Sequence, residues 1–186
     1  WCVAYSYGVE VMPGIQLPIE PKPSLYLDYE SNSNTQAFRR RAILNANGIA
    51  PTAGVVYYKR MYSPIVDAAA EIADIIRQKG IGLVVIDSGS RAVGGGTNEE
   101  NVVIPYFNAI SSWGITTLTI VHKSKEAVAK GGNSGPSGVK QWWNQARNYW
   151  ELLKDQTAGE SEVFVAFRHD KANHDARHAP MNYRID

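Results

Sequence analysis

Short apolar runs alternate along this chain with segments in which apolar residues recur every three or four positions. The runs are rich in β-branched and aromatic residues and are flanked by Gly, Pro or polar residues, a pattern typical of buried strands. This pattern predicts strands at residues 25–30, 55–58, 83–87, 116–122, 162–167 and 181–185.

The segments with three- and four-residue spacing are predicted to be helices. The clearest spans residues 63–80, where a Ser-Pro pair marks the start and a glycine marks the end. A second spans residues 97–113 and opens with capping-box spacing, and Pro105 either kinks it or delays its start. In a predicted helix over residues 139–153, the apolar positions leave Arg147 on the opposite, outward face. The other predicted helices cover residues 1–12 and 35–47, and loops are predicted at residues 88–98 and 123–138.

The alternation of strands and helices predicts an α/β fold with a mainly parallel, twisted sheet, helices on both of its faces, and antiparallel strands at the C-terminal end. We expect residues 1–186 to form one domain with a substantial core. Lys plus Arg (19) nearly cancel Asp plus Glu (18), so the net charge does not indicate a nucleic-acid partner. The chain has one cysteine, no leader pattern and no apolar run of membrane-spanning length, so we expect a cytoplasmic protein that does not enter a membrane.

Polar residues end three of the predicted strands. Because the carboxyl ends of parallel strands meet at one edge of a sheet, we expect Glu30, Asp87 and His122 to lie along the same edge. Asp87, with Ser88 beside it, suits a magnesium ion bound through water, unless it only caps the following turn. A carboxylate such as Glu30 is then placed to orient or deprotonate water that attacks a phosphoryl group. His122 is a candidate sensor of the third phosphate, or a strand-end histidine held by local hydrogen bonds.

Five short segments, taken in order, resemble the motifs of RecA-like ATPases, in particular the branch of RepA-type plasmid replicative helicases and related phage and prophage ATPases. They are residues 25–30, 83–88, 120–125, 144–147 and 170–173. The resemblance implies that Glu30 is the catalytic glutamate, that Asp87 is the Walker B aspartate, and that His122 couples the nucleotide state to a DNA-binding loop. It also implies that Arg147 is an arginine finger acting on a neighbouring subunit's nucleotide, and that Lys171 lies near the subunit interface. The implied nucleotide-binding residues are Asp87, Ser88 and Lys171.

The same resemblance implies an activity and its partners. It implies ATP hydrolysis with Mg²⁺ by a homo-oligomer, either a hexameric ring or a filament, that acts on DNA, most readily single-stranded DNA, as a helicase or as a replication or recombination ATPase. The alternative from another functional class is a non-hydrolysing DNA-binding or assembly subunit that keeps the fold.

One motif of such ATPases does not occur in the sequence, namely the phosphate loop G-x-x-x-x-G-K-[ST]. We expect the chain to begin directly after this motif, without the strand that carries it, and to be inactive by itself. The alternative is a natural paralogue that has no phosphate loop.

Three further features each allow a functional and a structural interpretation. The His and Asp residues between 169 and 178 have spacings that a metal site can use, but a polar turn explains them as well. The Lys/Gly/Ser segment 123–138 is a candidate single-strand-binding loop or a linker. The three consecutive arginines at 39–41 fit a solvated helix face better than a phosphate clamp.

Overall fold

The computed structural model of the chain describes residues 1–10, 20–51, 55–97, 99–122, 140–155, 162–174 and 176–185. The helices are α1 (Cys2–Tyr7), α2 (Ser33–Ala46), α3 (Ile65–Lys79), α4 (Gly89–Ala92), α5 (Glu100–Ser112) and α6 (Lys140–Gln145). The strands are β1 (Ser24–Asp28), β2 (Val56–Arg60), β3 (Leu83–Asp87), β4 (Thr116–Ile120), β5 (Asn148–Asp155), β6 (Val163–Ala172) and β7 (Met181–Ile185). None of the helices within these ranges is long and apolar enough to cross a membrane.

The chain divides into two compact units, Trp1–Gln141 and Trp142–Asp186. That residues 1–186 act as one domain stays a prediction. Each unit has its own sheet, so each is described by itself.

The first unit contains a four-stranded parallel sheet in the order β2-β1-β3-β4. The connection from β1 to β2 runs in one direction across the sheet, and the connections from β2 to β3 and from β3 to β4 run in the other. Because such crossovers are right-handed, α2 covers one face and α3 and α5 cover the opposite face. The predicted parallel sheet with helices on both faces is therefore confirmed.

The core of the first unit is formed by the central strands and by the buried faces of the helices, among them α3. The side chains of β3 from Leu83 to Ile86 are all buried, as expected of a strand covered on both faces. In α3 the buried residues lie three and four positions apart, at Ile65, Ala68, Ile72 and Ile76. The helix ends at Gly80, whose φ of 61° lies in the left-handed region that glycine adopts without strain. This packing fixes the ends of β1 and β3, where the acidic residues lie.

The second unit contains a three-stranded antiparallel sheet in the order β5-β6-β7. The predicted helix over residues 139–153 is wrong beyond α6, because residues 148–155 form β5; residue 139 lies outside the described residues. The pairing of β5 with β6, from Asp155 with Phe164 to Asn148 with Ala172, supplies interstrand backbone hydrogen bonds. These bonds favour the strand over the helix that the apolar spacing predicted. Two smaller differences are the short helix α4 inside the predicted loop 88–98 and the extension of β6 to Ala172.

Candidate active site

The carboxyl ends of the parallel strands form one edge of the first unit's sheet. Asp28, the last residue of β1, is in register with Asp87, the last residue of β3, and Asp87 is in register with Ile120 at the end of β4. Glu30 follows β1 by two residues and His122 follows β4 by two residues, and both are exposed. The edge thus carries the three residues that the strand ends predicted.

The side chain of Glu30 is held by residues that follow β3. The hydroxyl of Ser88, which is fully buried, donates a hydrogen bond of 2.6 Å to Oε1 of Glu30 and lies 3.0 Å from the hydroxyl of Ser90. The Nε of Arg91 lies 3.5 Å from the same Oε1. The Arg91 Nη1 also donates to the carbonyl oxygen of Tyr29 at 3.1 Å. The peptide bond between Asp87 and Ser88 is cis. Two neighbouring strands therefore hold a carboxylate at their common edge.

Asp87 is held through a tyrosine of β1. The hydroxyl of Tyr26 donates a 2.5 Å hydrogen bond to Oδ2 of Asp87. The amide of Gln36, on α2, donates to the Tyr26 hydroxyl at 3.4 Å and to the hydroxyl of Ser31 at 2.9 Å. Burial raises the pKa of Tyr26 above its ordinary value, and the hydrogen bond to the Asp87 carboxylate raises it further, so Tyr26 stays a donor. No hydrogen bond within the described residues uses Oδ1 of Asp87.

Asp28 belongs to this edge and was not singled out by the sequence analysis. Its side chain is fully buried, and its Oδ1 accepts the backbone N–H groups of Glu30 (2.9 Å) and Ser31 (2.8 Å) and a contact of 3.3 Å from Arg60. Its Oδ2 accepts the hydroxyls of Ser31 (2.7 Å) and Tyr58 (3.1 Å). Burial by itself would raise the pKa of Asp28, but these hydrogen bonds outweigh burial and hold the pKa below its ordinary value.

The hydrogen bonds of Asp28 give it a structural task in the site. They close the turn that follows β1 and so place Glu30. The sequence does contain a signal for Asp28, because it is an acid at the end of an otherwise mostly apolar strand and lies two residues before Glu30.

The carboxylates differ in what they offer a magnesium ion. Donors already surround both oxygens of Asp28, so it is not available as a ligand. Asp87 keeps Oδ1, and a single carboxylate oxygen is the kind of ligand that suits Mg²⁺ when the ion retains most of its waters. Within the described part of the chain, no group of three or more His, Cys, Asp or Glu residues is arranged to hold a metal by itself. The residues present fit a water-mediated ion at Asp87.

Arg147 and Lys171 lie in the second unit. Arg147 is exposed between α6 and β5, not on a helix, and its Nη1 lies 3.0 Å from Nε2 of His174. Lys171 donates to three carbonyl oxygens at the end of α6, those of Trp143 (2.6 Å), Asn144 (3.2 Å) and Ala146 (2.7 Å), and burial lowers its pKa. In this structure Lys171 therefore caps α6, while its predicted contact with a nucleotide stays a prediction.

The histidines of the predicted polar turn form a stacked cluster. His169 stacks on Trp150 with ring centroids 4.1 Å apart, and its Nδ1 accepts the backbone N–H of His178 at 3.0 Å. Burial lowers the pKa of His169, which favours the neutral ring. Asp175 and the Lys/Gly/Ser segment 123–138 lie outside the described residues.

Comparisons with known proteins agree with this architecture. A family model described as AAA domain matches residues 1–128. A similar solved structure is that of the KaiC-like protein PH0186 from the hyperthermophilic archaea Pyrococcus horikoshii OT3, with a TM-score of 0.59 and 13% sequence identity over 89% of this chain and 72% of that chain. A comparison with curated proteins finds no match. The structural similarity confirms the predicted RecA-like α/β fold.

Proposed function

Because this chain belongs to the AAA domain family, we propose that it hydrolyses ATP as part of an oligomeric RecA-like motor or switch that acts on DNA. Within the RecA-like ATPases we assign it to the branch of RepA-type replicative helicases and related phage ATPases. The observation that carries the proposal is the hydrogen bond from Ser88, the residue that follows Asp87, to the carboxylate of Glu30. It supports a water-activating base and a magnesium-binding acid at the same strand edge, where open α/β sheets bind ligands.

In the proposed reaction Glu30 orients a water molecule and accepts its proton. The water oxygen bonds to the γ-phosphorus of ATP, and the bond from that phosphorus to the β–γ bridging oxygen breaks, which releases ADP and phosphate. Mg²⁺, which Asp87 would hold through water, neutralises phosphate charge when it is bound. Tyr26 keeps Asp87 in place through its 2.5 Å hydrogen bond.

Three other residues have proposed tasks outside the water-activating pair. His122 is exposed and directly precedes the segment 123–138 in the chain. It is proposed to couple the nucleotide state, ATP or ADP, to the conformation of that segment. Arg147 is exposed and is proposed to reach the nucleotide of a neighbouring subunit. Lys171 is proposed to lie near the same interface. The 186 residues contain no G-x-x-x-x-G-K-[ST] sequence, so the assays below use the full-length gene product.

Two acid-to-amide substitutions test the assignment. Glu30→Gln keeps the shape of the side chain but removes the base, so we expect turnover to fall about 100-fold or more while ATP binding survives. Asp87→Asn should weaken Mg²⁺-dependent ATP binding instead. Glu20→Gln, at an exposed position away from the edge, is the matched control.

The outcomes separate the two functional classes. Normal turnover by Glu30→Gln would move the water-activating role to another residue. A wild-type protein that binds single-stranded DNA, measured by fluorescence anisotropy, but shows no ATP turnover would favour the non-hydrolysing subunit. Turnover that single-stranded DNA does not stimulate would argue against a DNA-driven motor.

A further inference from the structure

We propose that Arg91 is a positioning residue that, together with Ser88, fixes one oxygen of Glu30 and leaves the other free for water. This inference rests on the proposed function, because it gives Arg91 a task only if Glu30 is the base. Neither the strand-end pattern nor the motifs indicated Arg91.

Arg91 is tied to Ser88 by the geometry of α4. The backbone N–H groups of Arg91 and Ala92 both donate to the carbonyl oxygen of Ser88, at 3.2 and 3.0 Å. Gly89 and Ala92 are buried, so this single helical turn is packed into the first unit, of which it is a part. The two groups that contact Glu30 therefore come from one short, locally closed segment directly after β3.

The guanidinium of Arg91 is also tied to β1. Its Nη1 donates to the carbonyl oxygen of Tyr29, the residue immediately before Glu30. Tyr29 is itself buried, its N–H donates to the carbonyl of Asp87 at 2.6 Å, and its hydroxyl donates to the carbonyl of Ser63 at 2.9 Å. Arg91 is thus anchored at a fixed point of the backbone, from which its Nε reaches the carboxylate.

The contacts of Glu30 are unequal between its two oxygens. Ser88 and Arg91 both approach Oε1, and no hydrogen bond within the described residues uses Oε2. The side chains of Arg91 and Glu30 are 61% and 34% exposed, and an ion pair this accessible adds little to stability. Its effect is to restrict the orientation of the carboxylate, which leaves Oε2 as the acceptor for water.

The test measures ATP turnover and ATP binding by the full-length gene product carrying Arg91→Met or Arg91→Lys. Methionine keeps the unbranched stem of the side chain but has no guanidinium and no hydrogen-bond donor, so we expect kcat to fall about 10- to 100-fold, the effect of misplacing a reacting group. KM and the dissociation constant for ATP should not change, because Arg91 acts on the base. Lysine keeps a charge near Oε1 and should restore part of kcat. Arg77→Met, which removes a comparably exposed arginine from an ion pair with Asp74, should leave kcat unchanged.

A double substitution distinguishes this inference from the proposed function. If Arg91 works through Glu30, adding Arg91→Met to Glu30→Gln should lower turnover no further. Full kcat in Arg91→Met, with turnover abolished in Glu30→Gln, would overturn the positioning role and leave the proposed function standing. Additive losses in the double variant, or a changed ATP affinity in Arg91→Met, would also overturn it. Normal turnover in Glu30→Gln would overturn both.

Discussion

The buried carboxylate of Asp28 allows a sharp prediction because its two oxygens meet different kinds of donor. Oδ1 receives two backbone N–H groups and Arg60, none of which can become an acceptor. Among the described residues, Oδ2 receives just the hydroxyls of Ser31 and Tyr58, and each hydroxyl can rotate to accept a hydrogen bond. An asparagine can therefore place its carbonyl oxygen at the first position and its NH₂ group at the second.

We expect Asp28→Asn to be tolerated better than Asp28→Leu. In the asparagine variant the bonds at Oδ1 are kept without charge assistance, and those at the Oδ2 position reverse, with the NH₂ group donating to the two hydroxyls; we expect a cost of about 2 kcal/mol in total. Leucine has a similar size but leaves the two partly buried N–H groups that bind Oδ1 unpaired, each costing about 1–3 kcal/mol, and removes the partner of Arg60. We therefore expect Asp28→Leu to cost about 4 kcal/mol or more, a large part of the stability of a domain of this size.

The pH dependence gives this prediction a second readout. The pKa of Asp28 is lower in the folded chain than its ordinary value of 3.8, so the ionised carboxylate stabilises the folded state above that value. This stabilisation is lost as the pH falls below about 3.8 towards the folded-state pKa. The difference in stability between wild type and Asp28→Asn should be constant near neutral pH and shrink in acid.

Hydrogen exchange of the β1 and β3 amides, followed as a function of urea, measures the stability of the first unit. Glu20→Gln serves again as an exposed acid-to-amide control, with an expected change below about 0.5 kcal/mol. Equal destabilisation by Asp28→Asn and Asp28→Leu at pH 7 would refute the distinction between fixed and rotatable donors. If the difference in unfolding free energy between wild type and Asp28→Asn persists unchanged in acid, the conclusion that Asp28 is ionised in the folded chain is wrong.

Two further predictions concern the second unit. Lys171→Met should destabilise that unit by about 1–3 kcal/mol, because three carbonyl groups at the end of α6 lose their donor. Thermal unfolding measures this change, and Lys154→Met, at an exposed position, is the control that should change it little. Arg147→Ala in the full-length gene product should lower ATP turnover roughly 1000-fold without weakening ATP binding, if Arg147 acts on a neighbour's nucleotide. Mixing Arg147→Ala subunits with Glu30→Gln subunits should then restore part of the activity, and a lack of recovery in demonstrably mixed oligomers would contradict a role in trans.

The hydrophobic pattern by itself determined the architecture of the first unit. A run such as Leu83–Ile86 has no polar side to expose, so it is stable only as a strand covered on both faces. The spacing of apolar residues in α3 likewise decides which face is buried, whatever packs against it. The positions of Glu30, Asp87 and His122 at or just after strand ends follow from the same pattern, because a polar residue marks where burial stops; their catalytic roles stay predictions.

The tertiary structure decided the features that depend on partners distant in sequence. Residues 148–155 satisfy a helical spacing as well as a strand, and only their pairing with β6 makes them a strand. That pairing also moved Arg147 from a helix face to a connection. Tyr58 and Arg60 reach the buried carboxylate of Asp28 because β1 and β2 are neighbours in the sheet, and Arg91 reaches Glu30 because β1 and β3 are neighbours. The local spacing of apolar residues predicts which side chains are buried. It does not predict which distant groups form hydrogen bonds with the polar residues of the site.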